Sequence, residues 1–190
     1  TTDYADLADC DLVIEAVFED RDIKAKCTQQ TEAVTASDAI FASNTSTLPI
    51  TGLAKASGRP KQFIGLHFFS PVDKMPLVEI IMGEQTDETT LAKAFDYVLQ
   101  IGKTPIVVND SRGFYTSRVF ATYITEGSAM LSEGVHPRLI EVAGIKSGMP
   151  VGPLALQDEV SLGLMLHINE QTKKDLQKEG KEMPHHPADS

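Results

Sequence analysis

The sequence predicts an α/β domain followed by an all-helical segment. Short, almost continuously apolar runs alternate with longer helix-like stretches from the start of the chain to about residue 110, a pattern typical of a sheet covered by helices. Beyond Asp110 no convincing strand pattern remains, although helical stretches continue. We therefore expect a change of architecture near residue 111, without a Pro/Ser-rich linker.

Five strands are predicted in the first part of the chain. The run from Leu12 to Phe18 has the continuous apolar character of a parallel strand that is covered on both faces. Four later apolar runs are also short and are separated by polar or turn-forming residues. They cover residues 39–43, 62–69, 77–82 and 105–109.

Three helices are predicted between these strands. Asp20 is positioned to cap a helix that runs from Arg21 to about Ser37. The short polar side chains of residues 44–47 precede Pro49, which favours the first turn of a short helix ending near Ala56. A third helix is expected between Asp87 and Gly102, because apolar residues recur at helical spacing. These residues are Leu91, Phe95, Val98 and Leu99.

The second part is predicted to be helical and incomplete. One helix is expected from about Arg112 to Glu133 and another from Pro137 to near Gly148. A rigid turn at residues 149–153 precedes a further apolar helix that begins at Leu154. The predicted organisation is an α/β part over 1–111, a helical domain over 112–172 and a solvated tail over 173–190.

Composition excludes several classes of partner. The 190 residues include 17 basic and 27 acidic side chains, for a net charge of −10, which disfavours nucleic acid and anionic lipid surfaces. No apolar run approaches the roughly twenty residues of a membrane span. An anionic substrate would need a local basic patch, and the candidates are Lys24, Lys61, Lys74 and Arg112.

Cysteine and histidine patterns do not predict a metal site. Cys10 and Cys27 lack metal-ligand spacing and are interpreted as reduced packing residues. His185 and His186 lie in the expected tail without a third ligand at useful spacing, and we assign them no role.

Two ionisable residues lie inside apolar strands. His67 occurs within residues 63–69 and Glu79 within residues 77–81, and a buried polar group without a partner costs about 1 to 3 kcal/mol. If the two strands return antiparallel around a loop near Asp73, the side chains meet on one face. A carboxylate that holds one imidazole nitrogen would prepare His67 as a general base. A buried ion pair with only a structural role remains the alternative.

Ser46 follows a predicted strand and precedes a short helix, so it could add a hydroxyl to the same site. Helix capping is the alternative role for Ser46. A hydrolase that uses Ser46, His67 and Glu79 is a second possible class of enzyme. Against it, Ser46 does not lie in a Gly-x-Ser-x-Gly turn and nothing marks an oxyanion hole.

Six motifs stand out along the chain: Asn44-Thr-Ser-Thr-Leu48, Gly65-Leu-His-Phe-Phe-Ser-Pro-Val72, Met75-Pro-Leu-Val-Glu-Ile-Ile81, Gly102-Lys-Thr-Pro105, Asp110-Ser-Arg-Gly-Phe114 and Gly148-Met-Pro-Val-Gly-Pro-Leu-Ala-Leu156. In order and spacing they resemble the 3-hydroxyacyl-CoA dehydrogenase family across nearly the whole chain. The forms of the second and third motifs are most similar to the multifunctional fatty-acid oxidation proteins.

The resemblance implies a fold and an activity. The fold is the second half of a Rossmann-like NAD-binding domain followed by an all-helical domain that covers substrate and forms a dimer surface. The activity is oxidation of 3-hydroxyacyl-CoA to 3-oxoacyl-CoA with NAD in fatty-acid β-oxidation. His67 would be the base, Glu79 its partner, and Ser46 would contact both substrate and cofactor. Cofactor contacts are also implied for Val17, Phe18, Glu19, Lys24 and, more weakly, Ser70.

Two departures and one absence qualify the resemblance. Ser117 stands where the family usually has Asn, and Ser70 where many single-function members have Asn. No Gly-x-Gly-x-x-Gly turn for pyrophosphate occurs in the 190 residues, and the family would place it ahead of Thr1. We therefore expect these residues alone to bind NAD poorly, and the strand at Leu12 to expose an apolar edge.

Partners and location follow only from the resemblance. It implies a homodimer, or a complex with a thiolase subunit in the multifunctional case. The expected location is the bacterial cytoplasm, with mitochondrial and peroxisomal origins as alternatives. A dehydrogenase-like domain that has lost catalysis and serves assembly is a further alternative, motivated by Ser117.

Overall fold

The computed structural model describes residues 1–160, 162–178 and 180–182. Two compact units are present, Thr1–Ser117 and Arg118–Ser190. The unit boundary lies a few residues beyond the predicted change of architecture. The predicted division at 111 and 172 stays a prediction.

The first unit is built on a five-stranded sheet whose strands follow one another in chain order. Strands β1, β2 and β3 are parallel, β4 is antiparallel to β3, and β5 is parallel to β4. This topology brings the carboxyl ends of β1, β2 and β3 to the edge at which β4 and β5 begin. The strands are Leu12–Glu15, Ile40–Ser43, Phe63–Phe68, Leu77–Met82 and Thr104–Val108.

The first strand is shorter and less buried than expected. It ends at Glu15, and the run to Phe18 predicted as strand is wrong over its last three residues. The chain leaves the sheet because the Glu15 carboxylate accepts the Val17 amide, 3.0 Å away. In the described residues β1 pairs with β2 alone, so Leu12 and Val13 are only half-buried.

Three helices pack on this sheet: α1 (Arg21–Glu32), α2 (Ile50–Ala54) and α3 (Glu88–Gln100). The Asp20 carboxylate accepts the amides of Asp22 and Ile23, both at 2.9 Å, and thereby caps α1 as predicted. Asp87 caps α3 in the same way. Helix α1 ends at Glu32, earlier than the predicted Ser37. Short 3-10 turns occur at Tyr4–Leu7 and Pro60–Gln62.

The cap of α2 differs from the prediction. Residues 44–47 do not form its first turn, and Pro49 precedes the helix without a side-chain cap. Instead the Asp110 carboxylate, at the end of β5, accepts the amides of Ile50 and Thr51, both at 2.8 Å, and the Thr51 hydroxyl. A residue distant in sequence therefore caps α2.

The sheet has an apolar cluster on each face. One cluster packs around Ile64, Leu66 and α3, and the other around Phe63, Ile81 and α2. Strand side chains alternate between faces, so His67 and Glu79 lie on the α2 side with Phe63 and Ile81. The absence of a side chain at Gly65 lets Ile50 of α2 pack closely on β3, because a Cβ at residue 65 would lie 2.8 Å from the Ile50 side chain.

The described part of the second unit is helical. Its helices are α4 (Thr116–Ser132), which begins at the end of the first unit, α5 (Pro137–Lys146), α6 (Pro153–Val160) and α7 (Leu162–Lys178). Helix α7 continues beyond residue 173, where a solvated tail was expected to begin. His185 and His186 lie outside the described residues.

Close packing and capping order the second unit. A Cβ at Gly127 would lie 2.6 Å from Pro153, so α4 and α6 approach closely there. The Glu141 carboxylate accepts the Leu154 amide at 2.8 Å and caps α6. None of the helices in the described ranges has the length and apolar character that crossing a membrane requires.

Candidate active site

His67 and Glu79 form a buried pair. They are direct partners in the antiparallel register of β3 and β4, as expected from the sequence. Glu79 Oε2 lies 2.7 Å from His67 Nδ1, and both residues are buried. The residues proposed as base and orienting carboxylate are therefore in hydrogen-bond contact.

Residues at the start of α4 and just before it also donate to the Glu79 carboxylate. Oε1 accepts the amides of Tyr115 at 3.1 Å and Thr116 at 2.8 Å, and Oε2 accepts the Thr116 hydroxyl at 2.9 Å. Phe114, just before these donors, is buried with a φ of +46°. Few non-glycine residues adopt that conformation, and here it directs successive amides at one carboxylate.

These contacts determine the ionisation state of the Glu79 carboxylate. Burial alone would raise the pKa of Glu79, but the hydrogen bonds from His67 and Thr116 outweigh it and the pKa is lowered from its ordinary value. Glu79 is therefore ionised at neutral pH and can accept a hydrogen bond from a proton on Nδ1 of His67. In the neutral imidazole, Nε2 then carries the free lone pair.

Two aromatic rings flank the imidazole. The ring centroids of His67 and Phe69 are 4.5 Å apart, and those of His67 and Phe114 are 6.0 Å apart. The amide of Phe68 donates to the Asn44 side chain at 2.8 Å, which ties the end of β3 to the end of β2. His67 is thus fixed at the carboxyl edge of the parallel strands.

Ser46 lies at the same edge, and among the described residues it forms no hydrogen bond with His67. Its amide donates to Glu19 Oε1 at 3.2 Å. Within the described part of the chain its hydroxyl has no hydrogen-bond partner, and the residue is half-buried. Ser46 neither caps α2 nor forms the Ser–His contact that the hydrolase alternative requires, so its hydroxyl is open to a ligand.

Glu19 and Lys24 meet in a network that joins the ends of β1 and β2. Glu19 Oε1 accepts from the hydroxyls of Thr45 at 2.5 Å and Thr47 at 3.0 Å, and its Oε2 lies 3.3 Å from the Lys24 ammonium. Burial raises the pKa of Glu19, but the hydrogen bond from Thr45 and the charge of Lys24 prevail, so the pKa is lowered.

Glu15 completes this network, although it was not among the site residues predicted from the sequence. Its oxygens lie 3.0 and 3.1 Å from Lys24 Nζ, and it also accepts from the Ser43 hydroxyl. Lys24 donates in addition to the carbonyl of Val17 at 3.3 Å. The Lys24 amine is thus buried among protein groups, which favours a role in fixing the β1 turn.

The remaining candidate cofactor residues are open to solvent at this edge. Phe18 is 83% exposed, Val17 is half-buried, and Ser70 is exposed at the end of β3. Ligands bind at the carboxyl ends of strands in α/β sheets. The solvent-exposed ring of Phe18 and the unpartnered hydroxyl of Ser46, among the described residues, fit a flat, polar ring such as nicotinamide. The pyrophosphate would need a turn that the sequence lacks.

Sequence reasoning missed several residues of the site. Glu15 carried the same signal as His67, a charge within an apolar strand, and could have been found. Thr116 and Asp110 could not, because Thr116 contacts strand β4 and Asp110 contacts helix α2, both distant in sequence. Ser117, the residue that departs from the family pattern, is half-buried beside Thr116.

Family models match both parts of the chain. Residues 1–111 match the model described as 3-hydroxyacyl-CoA dehydrogenase, NAD binding domain, and residues 113–189 match the one described as 3-hydroxyacyl-CoA dehydrogenase, C-terminal domain. The α/β unit is thus a Rossmann-like nucleotide-binding fold, followed by a helical part. The chain belongs to the 3-hydroxyacyl-CoA dehydrogenase family, whose members are NAD-dependent oxidoreductases.

Relatives and solved structures agree with this assignment. The fatty acid oxidation complex subunit alpha of Shewanella amazonensis is 46% identical over 176 residues, which cover 93% of this chain and 25% of that relative. FadB2 of M. tuberculosis has a TM-score of 0.87 at 34% identity, covering 93% of this chain and 64% of that one. For (S)-3-hydroxybutyryl-CoA dehydrogenase of Ralstonia eutropha the TM-score is 0.85 at 42% identity, with coverages of 90% and 61%. The chain thus spans 25% of the length of the curated relative.

Proposed function

We propose that the protein carrying this chain oxidises a 3-hydroxyacyl-CoA to the 3-oxoacyl-CoA with NAD, within fatty-acid oxidation. The observation that carries the proposal is the buried pair of His67 and Glu79 at the carboxyl edge of the sheet. Family membership and the naming of the Shewanella relative support the same reaction.

His67 is proposed as the general base. With Nδ1 bonded to the Glu79 carboxylate, Nε2 is the nitrogen that accepts the proton of the 3-hydroxyl group. The O–H bond breaks, its electron pair forms the C3=O bond, and the hydride leaves C3. Bound NAD+ supplies the acceptor for that hydride. A positioned base of this kind contributes roughly 10² to 10⁴ in rate.

Glu79 is proposed to orient the imidazole and to stabilise the imidazolium that forms. Its lowered pKa keeps it anionic, so that proton transfer to Nε2 turns a neutral–anionic pair into an ion pair. The reverse reaction returns the proton from Nε2 to the oxygen of the 3-oxo group. One histidine therefore serves both directions.

The open residues at the strand ends are proposed to receive the cofactor and substrate. Val17, Phe18 and Ser70 would contact the nicotinamide end, and the free hydroxyl of Ser46 would contact both cofactor and substrate oxygen. Glu19 would contact the cofactor, and Lys24 would act through Glu19.

Assembly and location are proposed from the relatives. The Shewanella proteins are named as alpha subunits of a complex, so we propose either a partner subunit, whose thiolase activity the family resemblance implies, or a homodimer. Bacterial relatives also favour the bacterial cytoplasm. Size-exclusion chromatography of the protein with and without the partner would separate these assemblies.

The test is NADH oxidation with acetoacetyl-CoA by the protein that carries this chain. Turnover that requires both substrates supports the proposal. Absence of turnover in a folded protein would instead favour the non-catalytic assembly alternative. The present 190 residues alone are expected to bind NAD poorly, and micromolar affinity by calorimetry would contradict that expectation.

A further inference from the structure

The loop of residues 69–76 joins β3, which carries His67, to β4, which carries Glu79. It leaves β3 just after His67 and enters β4 just before Glu79. Most of this loop is exposed, and it begins at the carboxyl edge at which Ser46 and Phe18 are also open. The loop therefore borders the sheet edge at which His67 lies.

Lys103 fixes this loop from the start of β5. Its ammonium donates to the carbonyl oxygens of Val72 at 2.5 Å and Met75 at 2.7 Å. The neighbouring Thr104 amide donates to the carbonyl of Pro76 at 2.7 Å. A single side chain thus holds two points of the loop, and the backbone beside it holds a third.

Val72 and Met75, whose carbonyls accept from Lys103, present their apolar side chains to solvent. Val72 is 49% exposed and Met75 is 37% exposed. Their carbonyls are directed at Lys103, and a turn in which the amides of Lys74 and Met75 donate to the carbonyl of Pro71 fixes the backbone between them. The structure therefore offers two apolar side chains at fixed points of an exposed loop.

We propose that Val72 and Met75 contact the acyl chain of the substrate and determine chain-length preference, with Lys103 as the positioning residue that holds them. The inference rests on the proposed function. When C3 is held at His67, the loop that leaves β3 just after His67 lies along the route that we assign to the carbon chain beyond C3. Each methylene buried against apolar surface contributes about fourfold in affinity, so two side chains suffice for a measurable preference.

The first test compares kcat/KM for ten-carbon and four-carbon 3-oxoacyl-CoA in the intact protein. Val72→Ser and Met75→Ser are each expected to lower the ratio of the ten-carbon to the four-carbon value by about threefold to tenfold. Leu99→Ser, which removes a 53% exposed leucine on α3 outside the loop, is the matched control and should leave the ratio unchanged.

The second test addresses Lys103. Lys103→Met should lower the same ratio and should also speed tryptic cleavage after Lys74, because the loop loses two of its hydrogen bonds. Lys103→Arg retains a donor for both carbonyls and should restore the ratio. Faster cleavage without a change in the ratio would show that Lys103 acts on structure alone and would overturn its proposed role.

The outcomes separate this inference from the proposed function. If the wild type turns over both substrates and the ratio is unchanged in Val72→Ser and Met75→Ser, the proposed contact of these residues with the acyl chain is wrong. The dehydrogenase proposal then still stands. If the folded wild type turns over neither substrate, the proposed function is overturned, and the inference with it.

Discussion

Nδ1 of His67 lies 2.7 Å from Glu79 Oε2, and the two residues are paired directly across β3 and β4. Two independent restraints fix this relationship. The strand register places both side chains on one face, and the donors of Tyr115 and Thr116 hold the carboxylate from the other side. The carboxylate is therefore held from two sides beside the imidazole, which suits a base that transfers a proton in both directions.

Replacing Glu79 by Gln should lower kcat by about 10² to 10⁴. The Gln amide can donate to Nδ1, which favours the tautomer with the proton on Nε2 and blocks the base. Steady-state kinetics measure the effect, and circular dichroism verifies folding. Glu84→Gln, at an exposed position, is the control. An unchanged kcat in a folded Glu79→Gln protein would remove Glu79 from the mechanism.

Glu19 should make stability depend on pH in the acidic range. Because its folded pKa is lowered, its contribution is fully present above the ordinary carboxyl pKa and is lost as pH falls through the folded pKa. The difference in unfolding free energy between wild type and Glu19→Gln should therefore shrink as pH falls. Urea denaturation at a series of pH values measures it, and a difference independent of pH would contradict the network.

Removing the Lys24 ammonium should destabilise the first unit strongly. Lys24→Met leaves the carboxylates of Glu15 and Glu19 without their cation, and breaking a buried pair in this way costs about 3 to 5 kcal/mol. Chemical denaturation measures the loss. Lys26→Met, at an exposed position of the same helix, should change stability by much less. Equal effects of the two substitutions would argue against a buried ion network.

Asp110 should contribute through the cap of α2. Asp110→Ala leaves the amides of Ile50 and Thr51 without their acceptor, which should cost about 1 to 2 kcal/mol. Thermal denaturation should detect the loss, with Asp96→Ala on the exposed face of α3 as the control. If both variants melt alike, the cap has no energetic role.

Local patterns predicted most of the first unit because each element there has its own signal. Asp20 and Asp87 cap the helices that they precede, and the apolar runs locate all five strands. The pairing of His67 with Glu79 was also predictable, since two ionisable residues in adjacent apolar strands need one another. Strand ends were less certain, and the chain leaves β1 at Glu15 because the side chain of Glu15 itself binds the Val17 amide.

Contacts between distant segments could not be predicted from local patterns. Asp110 follows β5 yet caps α2. Thr116, which lies just beyond the positive-φ residue Phe114, donates to Glu79 across a separation of 37 residues. The loop of residues 69–76 is a similar case, since nothing in the sequence indicates that Lys103 donates to the carbonyls of residues 72 and 75. Backbone acceptors carry no sequence signal of their own.

The most direct test of the central claim is NADH oxidation with acetoacetyl-CoA by the protein that carries this chain, comparing wild type, His67→Gln and the control His136→Gln at an exposed helix cap. We predict that His67→Gln, with folding intact, lowers kcat by roughly 10² to 10⁴ and that His136→Gln retains the wild-type rate. Equal rates for wild type and His67→Gln would contradict the assignment and reduce the His67–Glu79 pair to a structural ion pair.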